Sequence, residues 1–281
     1  MLGAIIGDMV GSIYEWIPMK SKNFNIYDSE MFPTDDSYLT IAVAESLMKY
    51  YPIDYSDKKI EELKDDLRTR FRIMVDKHDN AGFGYMFYTW AKIKSDKPYN
   101  SFGNGGAMRI SPVGWVAKDI DEAKRLSKVV TEITHNHPEG LKGAEAVAVA
   151  VFLARTNHSK EEIKKEMLNY YPEIDNIDYN DLLINYNSHY VSARKSVPQA
   201  IYCFLISNSL EDAIRNAVSI GGDSDTIACI TGSIAEAYYN KGFLSELEEK
   251  YLYFLIEPSI EKVIKKFHKT VNSGKIFKKE G

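Results

Sequence analysis

The chain has 281 residues, 44% of them hydrophobic and 27% charged, with a net charge of −5. That balance is that of a soluble globular protein with a substantial core, not of a disordered or disulfide-stapled chain. The acidic excess supplies no general positive field to attract nucleic acid, and no stretch reaches the roughly 18 apolar residues of a membrane span.

The chain opens on MLGAIIGDMVG, with Gly3, Gly7 and Gly11 at four-residue spacing. The spacing puts the glycines on one helical face, where a neighbouring helix can approach closely. Asp8 and the short apolar run argue for a buried central helix over a membrane dimer motif, and the segment lacks the basic flank of a signal peptide. Apolar residues at i, i+3, i+4 and i+7 predict further helices over 39–51, 141–155, 197–207 and 226–240. Ser159 followed by Glu162 predicts a capping box that opens a polar helix near 160–170. Pro138, Gly140, Pro172, Pro198 and Gly221-Gly222 are read as punctuation between helices. Residues 172–192 are polar, rich in Tyr and Asn and aperiodic, and read as a long surface excursion.

Strand alternation is missing, and Asn104-Gly105 lies in a glycine-rich loop, not between two alternating runs. The fold class is therefore all-α, with one domain over 1–270 and a basic tail over 271–281. Cys203 and Cys229 sit in apolar runs without CxxC spacing, which argues against both a disulfide framework and structural zinc. A cytoplasmic monomer is expected.

Two acidic clusters carry the chemistry. Thr34-Asp35-Asp36 and Asp223-Ser224-Asp225-Thr226 each stand at the head of an apolar helical run. Either cluster alone reads as a helix cap, because Asp, Ser and Thr bond the free N–H groups there. A cap needs one oxygen, however, and adjacent carboxylates repel unless a positive charge lies between them. Brought together, they offer hard oxygen donors suited to Mg²⁺ or Mn²⁺. His135-Asn136-His137 has no matching Cys or His ligands elsewhere, which makes packing or capping its simpler use. Arg109 could equally pair with a core carboxylate or meet a ligand.

Five segments read together go further: Gly7-Asp8-Met9-Val10-Gly11 ending in Glu15; Thr34-Asp35-Asp36-Ser37; Gly103-Asn104-Gly105-Gly106-Ala107-Met108-Arg109; Thr134-His135-Asn136-His137-Pro138; and Gly221-Gly222-Asp223-Ser224-Asp225-Thr226. Their order and content resemble the ADP-ribosylglycohydrolase family, from residue 3 to about residue 240. The resemblance implies a single-domain orthogonal helical bundle and a cleft with two Mg²⁺ or Mn²⁺ ions. It implies Thr34, Asp35 and Asp36 as one ligand group and Asp223, Asp225 and Thr226 as the other, with Ser224 turned away. Glu15, credited in the family with activating water, and Asp36 beside the metals are the catalytic candidates. Asn104, Gly105, Gly106, Met108 and His135 match segments that hold ADP-ribose, and Gly84 and Tyr85 fall where a further substrate segment lies.

The activity implied is hydrolysis of the bond between ADP-ribose and an acceptor, such as an arginine or serine side chain or a small-molecule conjugate, with ADP-ribose as product. Other ribosylated small molecules or nucleic-acid bases, or a non-catalytic crystallin-like ADP-ribose binder, are the alternatives.

Overall fold

The structure is a computed structural model, and it describes residues 1–186, 191–239 and 244–270. The tail at 271–281 and residue 240, the last of a predicted helix, lie outside the described residues. In chain order the helices are α1 (Leu2–Ser12), α2 (Asp35–Tyr50), α3 (Asp57–Lys77), α4 (Tyr85–Lys92), α5 (Gly105–Met108), α6 (Ser111–Val116), α7 (Ile120–Thr131) and α8 (Pro138–Arg155). They continue as α9 (Lys160–Tyr170), α10 (Tyr179–Asn185), α11 (Ala193–Leu205), α12 (Leu210–Ile220), α13 (Ser224–Tyr239), α14 (Glu246–Lys250) and α15 (Pro258–Thr270). Among the described residues the nearest thing to a strand is a single antiparallel bridge, Gly103 to Ser192. The expected all-α class is what is found.

The centre is the pair α1–α13. Every residue of α1 is buried, and the glycine face predicted from sequence is the contact. A Cβ added to Gly3 would fall 2.3 Å from the Gly232 carbonyl oxygen, one on Gly7 would fall 2.0 Å from that of Ala228, and one on Gly11 would fall 2.4 Å from that of Ser224. The pairing is antiparallel, because positions rising along α1 meet positions falling along α13. The C-terminal end of α1 is thereby set beside the N-terminal end of α13. Around this pair α11, α12 and α8 pack on α13, while α2 packs on α1 and carries α3, α6 and α15 on its other sides.

Entry into α13 depends on local chemistry. Gly221 and Gly222 both have positive φ, +72° and +78°, in the left-handed region where glycine carries no steric penalty. This reverses the chain between α12 and α13. Lys20 closes the end of α12 by donating from Nζ to the carbonyls of Ile220 (2.5 Å) and Tyr186 (2.6 Å), the side-chain closure that helix C-termini favour. The capping box at Ser159 and Glu162 is present as predicted.

Three expectations change. Gly140 and Pro198 lie inside helices, α8 and α11. Pro198 removes one ladder donor in the second turn of α11, and tertiary packing on α13 compensates. Gly140 permits α8 to pass close to its neighbours: a Cβ there would stand 2.7 Å from the Ser101 carbonyl oxygen. The surface excursion expected over 172–192 carries structure of its own where described, with 187–190 outside the described residues. It forms a 3-10 turn at Pro172–Asn176 and then α10, whose start is capped by Asp178 accepting from Asp181 N at 2.8 Å. Ile174, Leu182 and Tyr186 are buried anchors, spaced too irregularly to show as a periodicity.

Replacing Gly7 with Ala is expected to destabilise the protein by about 1–3 kcal/mol or more, as overpacking does. Gly84→Ala, which meets nothing within 4 Å, should leave stability nearly unchanged. Denaturant melts of both variants check this.

Candidate active site

The antiparallel α1–α13 contact decides which side chains meet. Asp8 on the last turns of α1 accepts from Thr34 N (2.9 Å), Thr34 Oγ1 (2.6 Å), Ser37 N (3.1 Å) and the Ser37 hydroxyl. One buried carboxylate thus ties the start of α2 to the central helix. Thr34 is the N-cap of α2, accepting from Asp36 N at 3.4 Å. Capping and site-building are therefore the same act here. Across the cleft, Ser224 Oγ turns away and donates to the Gly11 carbonyl at 2.9 Å. Thr226 Oγ1 donates to Asp36 Oδ2 at 3.1 Å, which links clusters 190 positions apart in sequence. The N-termini of α2 and α13 both bear acidic residues that line this cleft, and a helix N-terminus favours negative charge.

Carboxylate oxygens of Asp8, Asp36 and Asp225 lie within 4.8 Å of one another, as do those of Glu15, Asp223 and Asp225. Asp225 belongs to both sets. Asp36 Oδ1 is buried and has no hydrogen-bond partner among the described residues. An unpartnered buried carboxylate oxygen facing other carboxylates fits a hard divalent cation, for which all-oxygen sites are the preferred surroundings. The residues present therefore suit such ions.

The electrostatics agree. Burial first, and the Asp225 charge second, raise Asp8 and Glu15 each to about 7. The same two causes push Asp35, Asp36 and Asp223 well above the usual carboxylate range. Without a cation the cluster holds protons to relieve its own repulsion.

The acidic residues line a cavity of about 770 Å³. Glu15, Thr34, Asp35, Asp36, Asp223, Asp225 and Thr226 all face it, as do Gly84, Tyr85, Asn104, Gly105, Met108 and His135. Gly106 is the exception. It is buried behind the wall, where a Cβ would meet Thr131 Cγ2 at 2.8 Å, so close packing is its use. The Asn104 side chain is engaged within the protein: Nδ2 donates to Asp223 Oδ2 at 2.6 Å and to Ser196 Oγ at 2.9 Å. It orients an acidic side chain, and only its remaining edge is left for a ligand. His135 lies under the glycine loop, with Nε2 3.1 Å from where a Gly105 Cβ would sit. His137 is a cap, its Nδ1 accepting from Glu139 N at 3.1 Å. At the mouth, Trp16 and Tyr85 are 75% and 84% exposed, so their ring faces are open to a flat group. Asp8 was absent from the candidates drawn from sequence. Its signal was visible, a lone carboxylate within an otherwise apolar buried helix, an expensive placement that demands partners.

Stability should follow these protons. Below about pH 4 both folded and unfolded carboxylates are protonated, while between about 4 and about 7 the unfolded chain has released protons that native Asp8 and Glu15 retain. Stability of the metal-free protein therefore falls as pH rises through that window. In EDTA the Tm is expected to be lower at pH 8 than at pH 5, to recover on adding Mg²⁺ at pH 8, and to vary less with pH in Glu15→Gln; calorimetry reads all three.

Comparison with known proteins places this arrangement. The ADP-ribosylglycohydrolase family model matches residues 1–270. ADP-ribosylhydrolase ARH3 of Homo sapiens is 26% identical over 313 residues, covering 85% of this chain and 84% of that protein. ADP-ribosylarginine hydrolase Tri1 of Pseudomonas putida (strain GB-1) is 21% identical over 284 residues, covering 89% and 72%. Among solved structures, an ADP-ribosylglycohydrolase-related protein complex matches with a TM-score of 0.69 at 20% identity over 97% of each chain, a likeness of fold. With a family model matched across nearly the whole length, the chain belongs to the ADP-ribosylglycohydrolase family of glycosidic-bond hydrolases.

Proposed function

We propose that the chain hydrolyses the glycosidic bond between ADP-ribose and an acceptor, with two Mg²⁺ or Mn²⁺ ions in the acidic cleft. The observation that carries this reading is the convergence of Glu15, Asp36, Asp223 and Asp225 on one cavity. Asp36, Asp223 and Asp225 would hold the ions, with Asp35, Thr34 and Thr226 alongside and Asp8 bracing the set from α1. When bound, such ions supply Lewis acidity that engages and orients the vicinal hydroxyls of the sugar.

The remaining chemistry falls to the protein. Glu15, whose carboxylate lies beside those of Asp223 and Asp225 at the cavity, suits a general base that takes a proton from the attacking water. The water oxygen bonds to the ribose C1″ as the bond to the acceptor breaks. The electron pair leaves on the acceptor, which takes up a proton, and the reaction passes through an oxocarbenium-like state. The cavity holds that state away from bulk water. The Gly103–Gly105 turn lets a diphosphate approach the backbone, where a side chain would block it. Exposed Trp16 and Tyr85 offer stacking faces for the adenine or for the acceptor. Filled acidic positions favour turnover over mere binding.

Acceptors such as arginine and serine conjugates fit this reading, and the name of the Pseudomonas putida relative supports arginine among them. Two buried free thiols and the lack, among the described residues, of any helix long and apolar enough to cross a membrane support a cytoplasmic setting. The cavity is built by one chain, so a monomer suffices.

Incubation with Mg²⁺ and a panel of ADP-ribosyl conjugates of arginine, serine and small molecules is expected to release free ADP-ribose, and EDTA to stop it. Asp35→Asn and Asp225→Asn should each lower the rate by about a hundredfold or more, beyond the cost typical of outer-sphere partners, with folding retained. Release unaffected by EDTA, or equal in wild type and Asp225→Asn, would reject the proposal.

A further inference from the structure

Ribose at the acidic cluster and diphosphate at the Gly103–Gly105 turn leave one part of the cavity lining without a use. It comes from the loop between α1 and α2, which supplies Trp16, Ile17, Glu30 and Phe32, and from the start of α4, which supplies Tyr85 and Met86. All six are exposed, Phe32 the least of the five apolar ones at 49%. Large apolar side chains gathered at one opening mark interaction surfaces, where Trp, Tyr, Phe and Met are enriched. The loop is held to present them. Asp28 Oδ1 accepts from Glu30 N at 3.0 Å, Tyr251 donates to Met31 Sδ at 3.3 Å, and Ser12 Oγ accepts from Phe32 N at 3.3 Å. With Met31 buried between them, Glu30 and Phe32 are turned outward together.

Position assigns this surface to the acceptor. Trp16 and Ile17 directly follow Glu15, whose carboxylate meets those of Asp223 and Asp225, and two residues span at most about 7 Å of chain. The indole N–H of Trp16 is turned to the Glu15 carboxylate. These side chains therefore stand at the reacting end, whereas the adenine is separated from the ribose C1″ by a second ribose and a diphosphate. Charge narrows the class. Of the Asp, Glu, Lys and Arg side chains that line the cavity, all but the fully buried Arg109 are acidic. Glu30 has no ion-pair partner among the described residues. The two lysines of the same loop are engaged elsewhere, Lys22 with Asp212 and Lys20 with the carbonyls of Ile220 and Tyr186. Such a rim repels a nucleic-acid backbone, and a single acceptor side chain cannot cover five large apolar groups. We infer, on the basis of the proposed ADP-ribosyl hydrolysis, that the acceptor is carried on a polypeptide, whose segment around the modified residue lies on this surface with a basic side chain against Glu30.

The test follows hydrolysis by the full-length protein with Mg²⁺ on short ADP-ribosylated peptides that differ only in the flanks of the modified residue, Lys, Ala or Glu. The same conjugate of the free amino acid is the reference. The kcat/KM is expected to fall from the Lys-flanked to the Glu-flanked peptide by roughly fivefold, the scale of an exposed ion pair. The difference should lie mostly in KM and shrink in high salt. The Ala-flanked peptide should exceed the free amino-acid conjugate by roughly tenfold, and Phe32→Ala should cut that advantage by roughly fivefold, as loss of an interface aromatic does. Glu30→Lys should reverse the order of the flanks. Equal rates on peptides and free conjugate, an order that Glu30→Lys leaves as it was, or faster release from an ADP-ribosylated oligonucleotide than from any peptide overturns the inference and leaves ADP-ribosyl hydrolysis standing. If neither variant folds, the wild-type ranking alone decides. No release from any conjugate rejects the hydrolysis, and the acceptor surface with it.

Discussion

The backbone contact between α1 and α13 is the constraint on which the rest of the molecule depends. Three glycines on α1 remove the side chains that would hold the helices apart, and the carbonyls of Gly232, Ala228 and Ser224 occupy the vacated space. Dispersion contacts at such range are numerous, and the surrounding shell of α8, α11 and α12 keeps them dry. The direction of the pairing matters as much as its closeness. Because the helices run antiparallel, the end of α1 and the turn bearing Glu15 meet the start of α13, and a parallel pair would set them at opposite ends of the domain.

Crowding carboxylates into one place opposes folding, and the structure offsets this with donors placed one by one. Asp8 receives hydrogen bonds from two backbone amides and two hydroxyls. Asp223 receives one from Asn104 and Asp36 one from Thr226. The inequality is informative. Asp8 is nearly saturated by the protein and so serves chiefly to brace α2, whereas Asp36 keeps an oxygen with no partner among the described residues. Partly satisfied buried polar groups are costly, and one retained here identifies the wall of the cleft that most needs a cation.

Much of this was readable from the residues, for identifiable reasons. The glycine spacing of α1, the capping box of α9 and the helical class all follow from local periodicity and side-chain chemistry. The two acidic clusters were recognisable because each exceeded what a cap requires. Other features were hidden because they are tertiary. Helix α3 buries only Leu63, Leu67, Phe71 and Val75 amid many charges, so its stripe was lost in a polar background. Pro198 and Gly140 looked like breaks because propensity ignores what packs against them. Gly106 resembled a ligand-cradling glycine, yet its neighbour Thr131 lies far along the chain, outside any local window that could reveal it. Asn104 looked free to meet substrate, and only the folded chain shows it spent on Asp223 and Ser196.

The Thr226–Asp36 bond spans most of the chain, and this has a consequence for biosynthesis. During translation the first acidic group emerges early and waits, exposed and without its counterpart, until the segment bearing the second has cleared the ribosome. No shorter nascent fragment can hold a cation between both halves. Catalytic competence therefore cannot arise before the second acidic segment is free to fold, and a chain interrupted ahead of it is left inert.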